Sequence, residues 1–387
     1  MTASQAPAKP KSSDVYIRGL DGLRAISIII VFLSHDGFEH VVPGGFGVTI
    51  FFFLSGFLIT TLLLLEQDKR GKIDLKAFYL RRLLRIFPPM YFALAFAALL
   101  MVIGINKAPE LSNLAILAHL AQFTNYYTIK YGTGSTIPGM AILWSLSVEE
   151  HFYLLFPLAL IFLLRRYSRE QIAKVLVGVC VAVLMWRFYL IVGQHWSSDR
   201  TYPASDTRID SIMWGCILAL WRNPALDKEK GLSLCKPGLL AGAFLTLLFC
   251  LVFRNGVFRE TLRYSLQGTA FFPIFAGAML TQPTALFSFL ELRWMRYLGQ
   301  ISYSFYLLHL PILLGLQANW VPHAMLGSRA HGIVAQGFDL LMIGVVGFAL
   351  SVGLSSLVLV TVERPCAALR KRLSRTKALD STERSAS

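Results

Sequence analysis

The chain of 387 residues has little charge and little acid: charged residues make up 15% of it, with 22 Asp and Glu against 37 Lys and Arg. A soluble protein of this length carries more charge and shorter apolar runs. Here 55% of the residues are hydrophobic, the mean hydropathy is +0.57, and the apolar runs repeatedly approach the ~20 residues needed to cross a bilayer. The composition therefore predicts an integral membrane protein with several spans.

Other absences narrow the class of protein further. The cysteines contain no CxxC pair, so neither a disulfide framework nor a metal site is expected; they are Cys180, Cys216, Cys235, Cys250 and Cys366. No strong internal repeat indicates a transporter built from two halves. No small-residue cleavage site follows the first apolar run, so we do not expect a cleaved signal peptide.

The formal net charge is +15, which in a soluble protein would suggest a nucleic-acid partner. In this chain the basic residues lie in short loops between apolar runs, the pattern that marks cytoplasmic loops of membrane proteins. The basic segment 66–85 is therefore predicted to be cytoplasmic, and the N-terminus with it. Nucleic acid is not expected as a partner. Arg254, Arg259 and Arg263 are the exception, because they fall on the outer side.

The apolar runs predict an all-α fold, a polytopic bundle of about ten transmembrane helices with both termini in the cytoplasm. The predicted spans are 20–37, 48–65, 88–105, 143–164, 172–193, 209–222, 237–253, 265–282, 297–316 and 337–362. Pro88 and Pro89 are expected in the first turn of the third helix. The apolar part of 106–142, residues 111–123, is short for a span and is predicted to lie at the outer surface. A membrane domain, 16–364, would be flanked by a disordered tail, 1–15, and a basic polar tail, 365–387.

The first predicted helix carries charged residues within an apolar sequence, and such residues in a membrane mark functional sites by default. Arg24 and His35 lie eleven positions apart, on roughly one face and separated by a rise of about 16 Å. His35 could simply form a hydrogen bond to a neighbouring helix. Because Ser34, Asp36 and Arg24 accompany it, His35 is the predicted catalytic residue, as a general base or a transient acyl carrier. Asp36 is a candidate to hold its tautomer. Adjacent residues on a helix point about 100° apart, so Asp36 points away from His35. The alternative is that a group on another helix orients the histidine.

Two basic residues stand three apart in RRLLRIFPP, so Arg82 and Arg85 share one face if the segment is helical. One interpretation is anchoring at the cytoplasmic surface. The other is a phosphate clamp, because guanidinium groups bind phosphate in a bidentate manner. Arg24 would extend that clamp into the membrane.

The remaining candidates each have two interpretations. Glu149 orients an acceptor hydroxyl or a histidine, or else lies at the membrane interface. Arg208 and Asp210 either form an internal ion pair or contact substrate. His309 makes a structural hydrogen bond or belongs to the site, and Tyr303 packs or belongs to the site.

Six stretches occur in an order that resembles the acyltransferase-3 family of membrane acyltransferases. They cover roughly residues 16–364 and are GLDGLRAISIIIVFLSH, FFFLSGFLIT, FYLRRLLRIFPPMY, WSLSVEEHFYLLFP, RIDSIMWGCILA and ISYSFYLLHLP. The spacing of Arg24 and His35, and the pair formed by Arg82 and Arg85, match motifs of that family.

The resemblance implies transfer of an acyl group, usually acetyl, from acyl-CoA to a hydroxyl of a sugar, cell-wall glycan, lipid-linked saccharide or glycosylated small molecule. It implies His35 as the essential catalytic residue, Arg82 and Arg85 at the cytoplasmic donor site, and Glu149 in the core of the site. Acyl-CoA would be a co-substrate, with no tightly bound cofactor, and the protein would lie in a bacterial inner membrane. Some members carry a further soluble esterase-like domain. The chain ends in about 25 polar residues, so it is expected to work without that domain or with a partner.

Two other classes of function remain open. In one, the protein is a transporter or flippase of a glycan or small anion, with His35, Glu149 and Asp210 as a proton relay. In the other, it is a sensor or assembly partner without catalysis.

Overall fold

The computed structural model describes residues 16–107, 109–280, 285–320, 333–370 and 372. These residues form helices joined by short connections and contain no β-strand, which confirms the predicted all-α bundle. The tail predicted at 1–15 and most of the tail predicted at 365–387 lie outside the described residues.

Sixteen α-helices lie within the described residues. In chain order they are α1 Leu20–Leu33, α2 Gly44–Arg70, α3 Leu75–Val102, α4 Asn113–Leu120, α5 Thr124–Tyr131, α6 Leu143–Leu164, α7 Arg169–Phe188, α8 Ser198–Thr201, α9 Ser205–Trp221, α10 Lys228–Leu232, α11 Pro237–Val252, α12 Gly256–Glu260, α13 Leu262–Leu280, α14 Ala285–Ser288, α15 Arg293–Asn319 and α16 Ile333–Val358. Wider, π-helical turns extend three of them: Ser34–Phe38 after α1, Tyr189–Gly193 after α7 and Leu359–Glu363 after α16. Single 3₁₀ turns occupy Thr133–Ser135, Met140–Ile142 and Phe289–Glu291.

Six of the described helical segments are long and apolar enough to cross a bilayer. They are Gly44–Arg70, Leu75–Val102, Met140–Leu164, Arg169–Gly193, Arg293–Asn319 and Asp339–Arg370. The predicted total of about ten stays a prediction, because the helices at the other four predicted positions, α1, α9, α11 and α13, are shorter or less apolar. Helix α4, with eight residues, is about 12 Å long. It is therefore too short to span, as its sequence indicated.

Helix α3 begins much earlier than predicted. It starts at Leu75, where the side chain of Asp74 accepts a hydrogen bond from the backbone N–H of Ala77 at 2.9 Å, a standard N-terminal cap. The prediction that Pro88 and Pro89 begin this helix is wrong, since both lie in its interior. Prolines are tolerated inside membrane helices because neighbouring groups satisfy the freed backbone. Consequently the predicted loop 66–85 shrinks to residues 71–74.

Two glycines allow α2 and α9 to approach backbone to backbone. A Cβ atom at Gly56 would lie 2.0 Å from the carbonyl oxygen of Ile212, and one at Gly215 would lie 2.1 Å from the carbonyl oxygen of Phe53. Small residues at such crossings stabilise helix pairs in membranes through close van der Waals contact. This contact places α9 directly behind the helix that lines the candidate site.

Helix α1 lies between α2 and α15. A Cβ atom at Gly299 of α15 would lie 1.9 Å from the carbonyl oxygen of Asp21, and one at Gly47 of α2 would lie 2.5 Å from that of Ser27. The helix that carries Arg24 and His35 is therefore held on two sides by close contacts. Its polar residues face other helices of the bundle.

The α2–α9 contact predicts that Gly215→Ala destabilises the protein. The added methyl group meets a backbone oxygen that cannot move away, so we expect the free energy of unfolding to fall by about 1–3 kcal/mol. The matched control is Gly178→Ala on α7, where nothing lies within 4 Å and alanine favours the helix by up to about 1 kcal/mol. Thermal unfolding in detergent measures both. Equal stability of the two variants would contradict the close contact.

Candidate active site

A cavity of about 160 Å³ lies inside the bundle, between α1, α2, α3, α6, α15 and the turn that follows α16. Its polar lining residues are Arg24, Ser55, Arg82, Arg85, Ser145, Glu149, Tyr153, Gln300, Ser302, Tyr303, Tyr306 and Glu363. The structure thus brings together five predicted site residues that are far apart in the sequence: Arg24, Arg82, Arg85, Glu149 and Tyr303. The other five, His35, Asp36, Arg208, Asp210 and His309, are not among the lining residues.

The arginines of the cavity differ in how they are paired. Arg24 lies 3.2 Å from the carboxylate of Asp21. Within the described residues, neither Arg82 nor Arg85 lies within ion-pairing distance of a carboxylate. The neighbouring Arg81 does not line the cavity and pairs with Glu66 at 2.9 Å. Two positive charges that face an open space and form no close ion pair can bind an anion.

Glu149 is held in the cavity wall by a chain of hydroxyl groups. The Tyr153 hydroxyl donates to Oε2 of Glu149 at 2.7 Å. Because that donation uses the tyrosine proton, the Ser55 hydroxyl donates to the Tyr153 oxygen in their short hydrogen bond. The guanidinium group of Arg82 lies 3.7 Å above the centre of the Tyr153 ring, a cation–π contact. Glu149 therefore faces the cavity with one oxygen already bonded.

Sequence reasoning did not assign a site role to seven of the twelve polar residues of this wall, and three of them are Ser55, Tyr153 and Glu363. Ser55 lies in FFFLSGFLIT and Tyr153 in WSLSVEEHFYLLFP, stretches in which only other residues were assigned roles. Glu363 accepts a short hydrogen bond from the Ser304 hydroxyl and lines the cavity. A carboxylate at the end of an apolar segment was the available signal for Glu363. Tyr303 also has a defined partner, since its hydroxyl donates to the carbonyl oxygen of Ile86 at 2.8 Å.

His35 lies in the wide turn Ser34–Phe38, which contains Gly37 at φ 102°. Turns of this π-helical type recur at functional sites. Nδ1 of His35 lies 2.8 Å from Nε2 of His309, and the two rings stack with their centroids 5.1 Å apart. Tyr306, which lines the cavity, has its ring centroid 5.8 Å from that of His309. The histidine pair is therefore one aromatic ring away from the cavity.

Asp36 does not bond to His35. Its carboxylate lies against α16, where a Cβ atom at Gly344 would be 2.1 Å from Oδ2, and its Oδ1 is buried without a hydrogen bond from the described residues. The structure instead places His309 beside His35. This contact agrees with the alternative interpretation, in which the orienting group comes from a different helix.

Of the two interpretations of Arg208 and Asp210, the ion pair between them is wrong. Asp210 accepts two hydrogen bonds at 2.8 Å from Arg187 of α7, and both side chains are fully buried. Arg208 is also fully buried, but it donates to the Thr49 hydroxyl at 3.2 Å and lies among aromatic rings, with that of Tyr264 at 3.9 Å. Residues two apart on a helix point about 200° apart, so each charge finds its own partner.

The structure is a polytopic helical bundle with a charged cavity among its helices. This geometry defines the class of protein: a multi-pass membrane protein with an internal polar site. The chain belongs to the acyltransferase-3 family, because the family model described as an acyltransferase domain matches residues 17–360. This match confirms the resemblance seen in the six sequence stretches.

Named relatives agree with that membership. The chain is 34% identical over 327 residues to the O-acetyltransferase OatA of Staphylococcus aureus (strain NCTC 8325 / PS 47), an alignment that covers 79% of this chain and 52% of the relative. It is 29% identical over 320 residues to the peptidoglycan O-acetyltransferase OatA of Listeria monocytogenes, covering 77% of this chain and 49% of the relative. The chain thus spans about half the length of these relatives. No solved structure matches it.

The buried pair of Arg187 and Asp210 predicts that Asp210→Asn strongly destabilises the fold. The substitution leaves the guanidinium charge buried without a counter-charge, which costs about 3–5 kcal/mol. The double variant Arg187→Met, Asp210→Leu removes both charges, and we expect it to recover most of the loss. Thermal unfolding and the yield of monodisperse protein measure both variants. A double variant no more stable than Asp210→Asn would contradict this account.

Proposed function

We propose that the protein is a membrane O-acyltransferase that moves an acyl group, acetyl in the simplest case, from acyl-CoA to a hydroxyl of a carbohydrate or glycosylated acceptor. The observation that carries the proposal is the cavity lined by Arg82 and Arg85, neither of which lies within ion-pairing distance of a described carboxylate, in a chain of the acyltransferase-3 family. The names of its relatives support acetyl as the group transferred.

The arginines suit the donor because coenzyme A carries several phosphate groups. Guanidinium groups hold phosphate oxygens with charge-assisted hydrogen bonds. In the proposed complex the phosphates lie at Arg82 and Arg85, with Arg24 on the same wall, and the pantetheine arm extends through the cavity toward His35. Glu149, held by Tyr153, would orient the acceptor or the thioester end.

His35 would take the proton of the acceptor hydroxyl while the hydroxyl oxygen attacks the thioester carbonyl. The new ester C–O bond forms, the C–S bond breaks, and the proton passes from His35 to the departing thiolate. Alternatively, the imidazole attacks first and carries the acyl group before the acceptor takes it. Both routes consume one acyl-CoA and release one free thiol for each ester formed.

The acceptor class is proposed from the relatives, one of which is named a peptidoglycan O-acetyltransferase. A cell-envelope glycan, a lipid-linked saccharide and a glycosylated small molecule all present suitable hydroxyl groups. We place the protein in a bacterial inner membrane with both termini in the cytoplasm, the orientation that the basic segments favour.

The transport interpretation has less support. Its proton relay needs Asp210 accessible, whereas Asp210 is fully buried in an ion pair with Arg187 and does not line the cavity.

The donor site predicts that Arg82→Ala and Arg85→Ala each weaken binding of acetyl-CoA by about 10- to 100-fold, the effect of losing a charge-assisted hydrogen bond worth about 1.5–3 kcal/mol. Arg81→Ala on the same helix is the matched control, because Arg81 pairs with Glu66 outside the cavity, and it should change binding less than about twofold. The assay is binding of radiolabelled acetyl-CoA to purified protein. Equal effects of the three variants would contradict a donor site in the cavity.

The catalytic assignment predicts that His35→Ala loses about 100-fold or more of acetyl transfer, the typical contribution of a general base, and keeps its affinity for acetyl-CoA. Incubation with labelled acetyl-CoA but no acceptor separates the two chemical routes. Label bound to wild-type protein and absent from His35→Ala indicates the acyl carrier, and transfer without trapped label indicates the base. Full transfer by His35→Ala would refute the assignment.

A further inference from the structure

The contact between His35 and His309 determines where the proton of each ring lies. Nδ1 of His309 is 2.7 Å from the carbonyl oxygen of Tyr306 and 3.2 Å from that of Phe305. A carbonyl oxygen only accepts hydrogen bonds, so Nδ1 of His309 must carry a hydrogen. In a neutral ring the other nitrogen, Nε2, then holds a lone pair.

That lone pair faces Nδ1 of His35 at 2.8 Å. Two lone pairs at this distance would repel, so Nδ1 of His35 carries the hydrogen that lies between the rings. The only other arrangement makes His309 a cation. His309 is 0% exposed and surrounded by the rings of Phe32 and Phe305. Its ring nitrogens contact only His35 and the two carbonyl groups among the described residues, and a cation buried in this way is costly.

The neutral arrangement leaves the basic nitrogen of His35 at Nε2. This atom has no hydrogen-bond partner among the described residues, and it is not one of the enclosed, unpaired polar atoms. His35 is half-buried, whereas His309 is fully buried. The free lone pair therefore belongs to the histidine that is partly exposed.

We propose that His309 is the positioning residue of His35: it accepts the Nδ1 hydrogen, holds the ring in one orientation and fixes the tautomer whose Nε2 acts as the base. This inference rests on the proposed function, in which His35 takes a proton from the acceptor hydroxyl. His309 occupies the place that a carboxylate takes in other catalytic histidine arrangements, and Asp36 does not.

The chain of hydrogen bonds also accommodates the charge that the reaction creates. When Nε2 of His35 takes the acceptor proton, the resulting imidazolium donates its Nδ1 hydrogen to His309 more strongly. His309 in turn donates to the carbonyl groups of Tyr306 and Phe305, which spreads the positive charge into the backbone of α15. When the proton passes from Nε2 to the departing thiolate, the neutral pair is restored.

Three substitutions at His309 test this role, because the new side chains differ in whether they place a hydrogen-bond acceptor next to His35. In His309→Gln the amide oxygen lies near the original Nε2 and still accepts from His35. In His309→Asn the amide reaches only the position of Nδ1, and His309→Leu has no acceptor. We expect kcat of acetyl transfer to stay within about tenfold for the glutamine variant and to fall about 100-fold or more for the other two. The KM for acetyl-CoA should change less than about twofold in all three.

Two controls separate positioning from a general structural role. In a His35→Ala background, His309→Leu should cause no further loss of transfer, because His309 acts through His35. Thermal unfolding of each variant reports folding independently. Equal kcat for the glutamine and asparagine variants, or wild-type kcat in His309→Leu, would overturn the proposal.

Nitrogen NMR of histidine-labelled wild-type protein in lipid nanodiscs reads the tautomer without any catalytic assay. The signal of His35, assigned by its loss in His35→Ala, should show the hydrogen on Nδ1, and this state should be lost in His309→Leu. A hydrogen on Nε2 of His35 would overturn the proposal. If wild-type protein neither binds nor consumes acetyl-CoA, the proposed function fails, and the NMR result still decides the tautomer.

Discussion

The cost of enclosing charge inside a membrane bundle governs the arrangement of this protein. Each fully buried guanidinium group has a defined source of compensation: Arg187 has the carboxylate of Asp210, and Arg208 has aromatic faces and one hydroxyl group. Arg82 and Arg85 differ, because they line a cavity. Their charge is therefore available to a ligand. The site therefore differs from the scaffold in that its basic groups open onto a cavity.

The same cost accounts for the chemistry around His35. An ionised carboxylate beside the ring would need its own desolvation to be offset, whereas a second neutral imidazole brings no net charge into the aromatic surroundings. The hydrogen-bond chain from His35 through His309 ends on backbone carbonyl groups of α15, which are already part of the helix. In the proposed mechanism, the site thus obtains an oriented base from groups that the bundle can bury.

Local patterns predicted much of this molecule. Apolar runs indicated the helices, and the three-residue spacing of Arg82 and Arg85 placed them together once the segment proved helical. The start of α3 was missed because its prolines suggested a first turn, and the membrane setting overrides that rule. The partner of Asp210 was missed because helix geometry separates it from Arg208 and the true partner lies on another helix. The contact of His35 with His309 joins residues 274 positions apart, and single-sequence periodicity contains no information about such packing.

Residues of the last described helix and of the turn after it lie against, or share a cavity with, residues near the start of the chain. Gly344 covers the carboxylate of Asp36, while Glu363 faces the same cavity as Arg24 and bonds to Ser304 of α15. During synthesis the arginines and His35 emerge hundreds of residues before these partners. A nascent chain already inserted through α15 therefore lacks Glu363 of the cavity lining. The order of translation delays assembly of the complete pocket until nearly all of the described chain has entered the membrane.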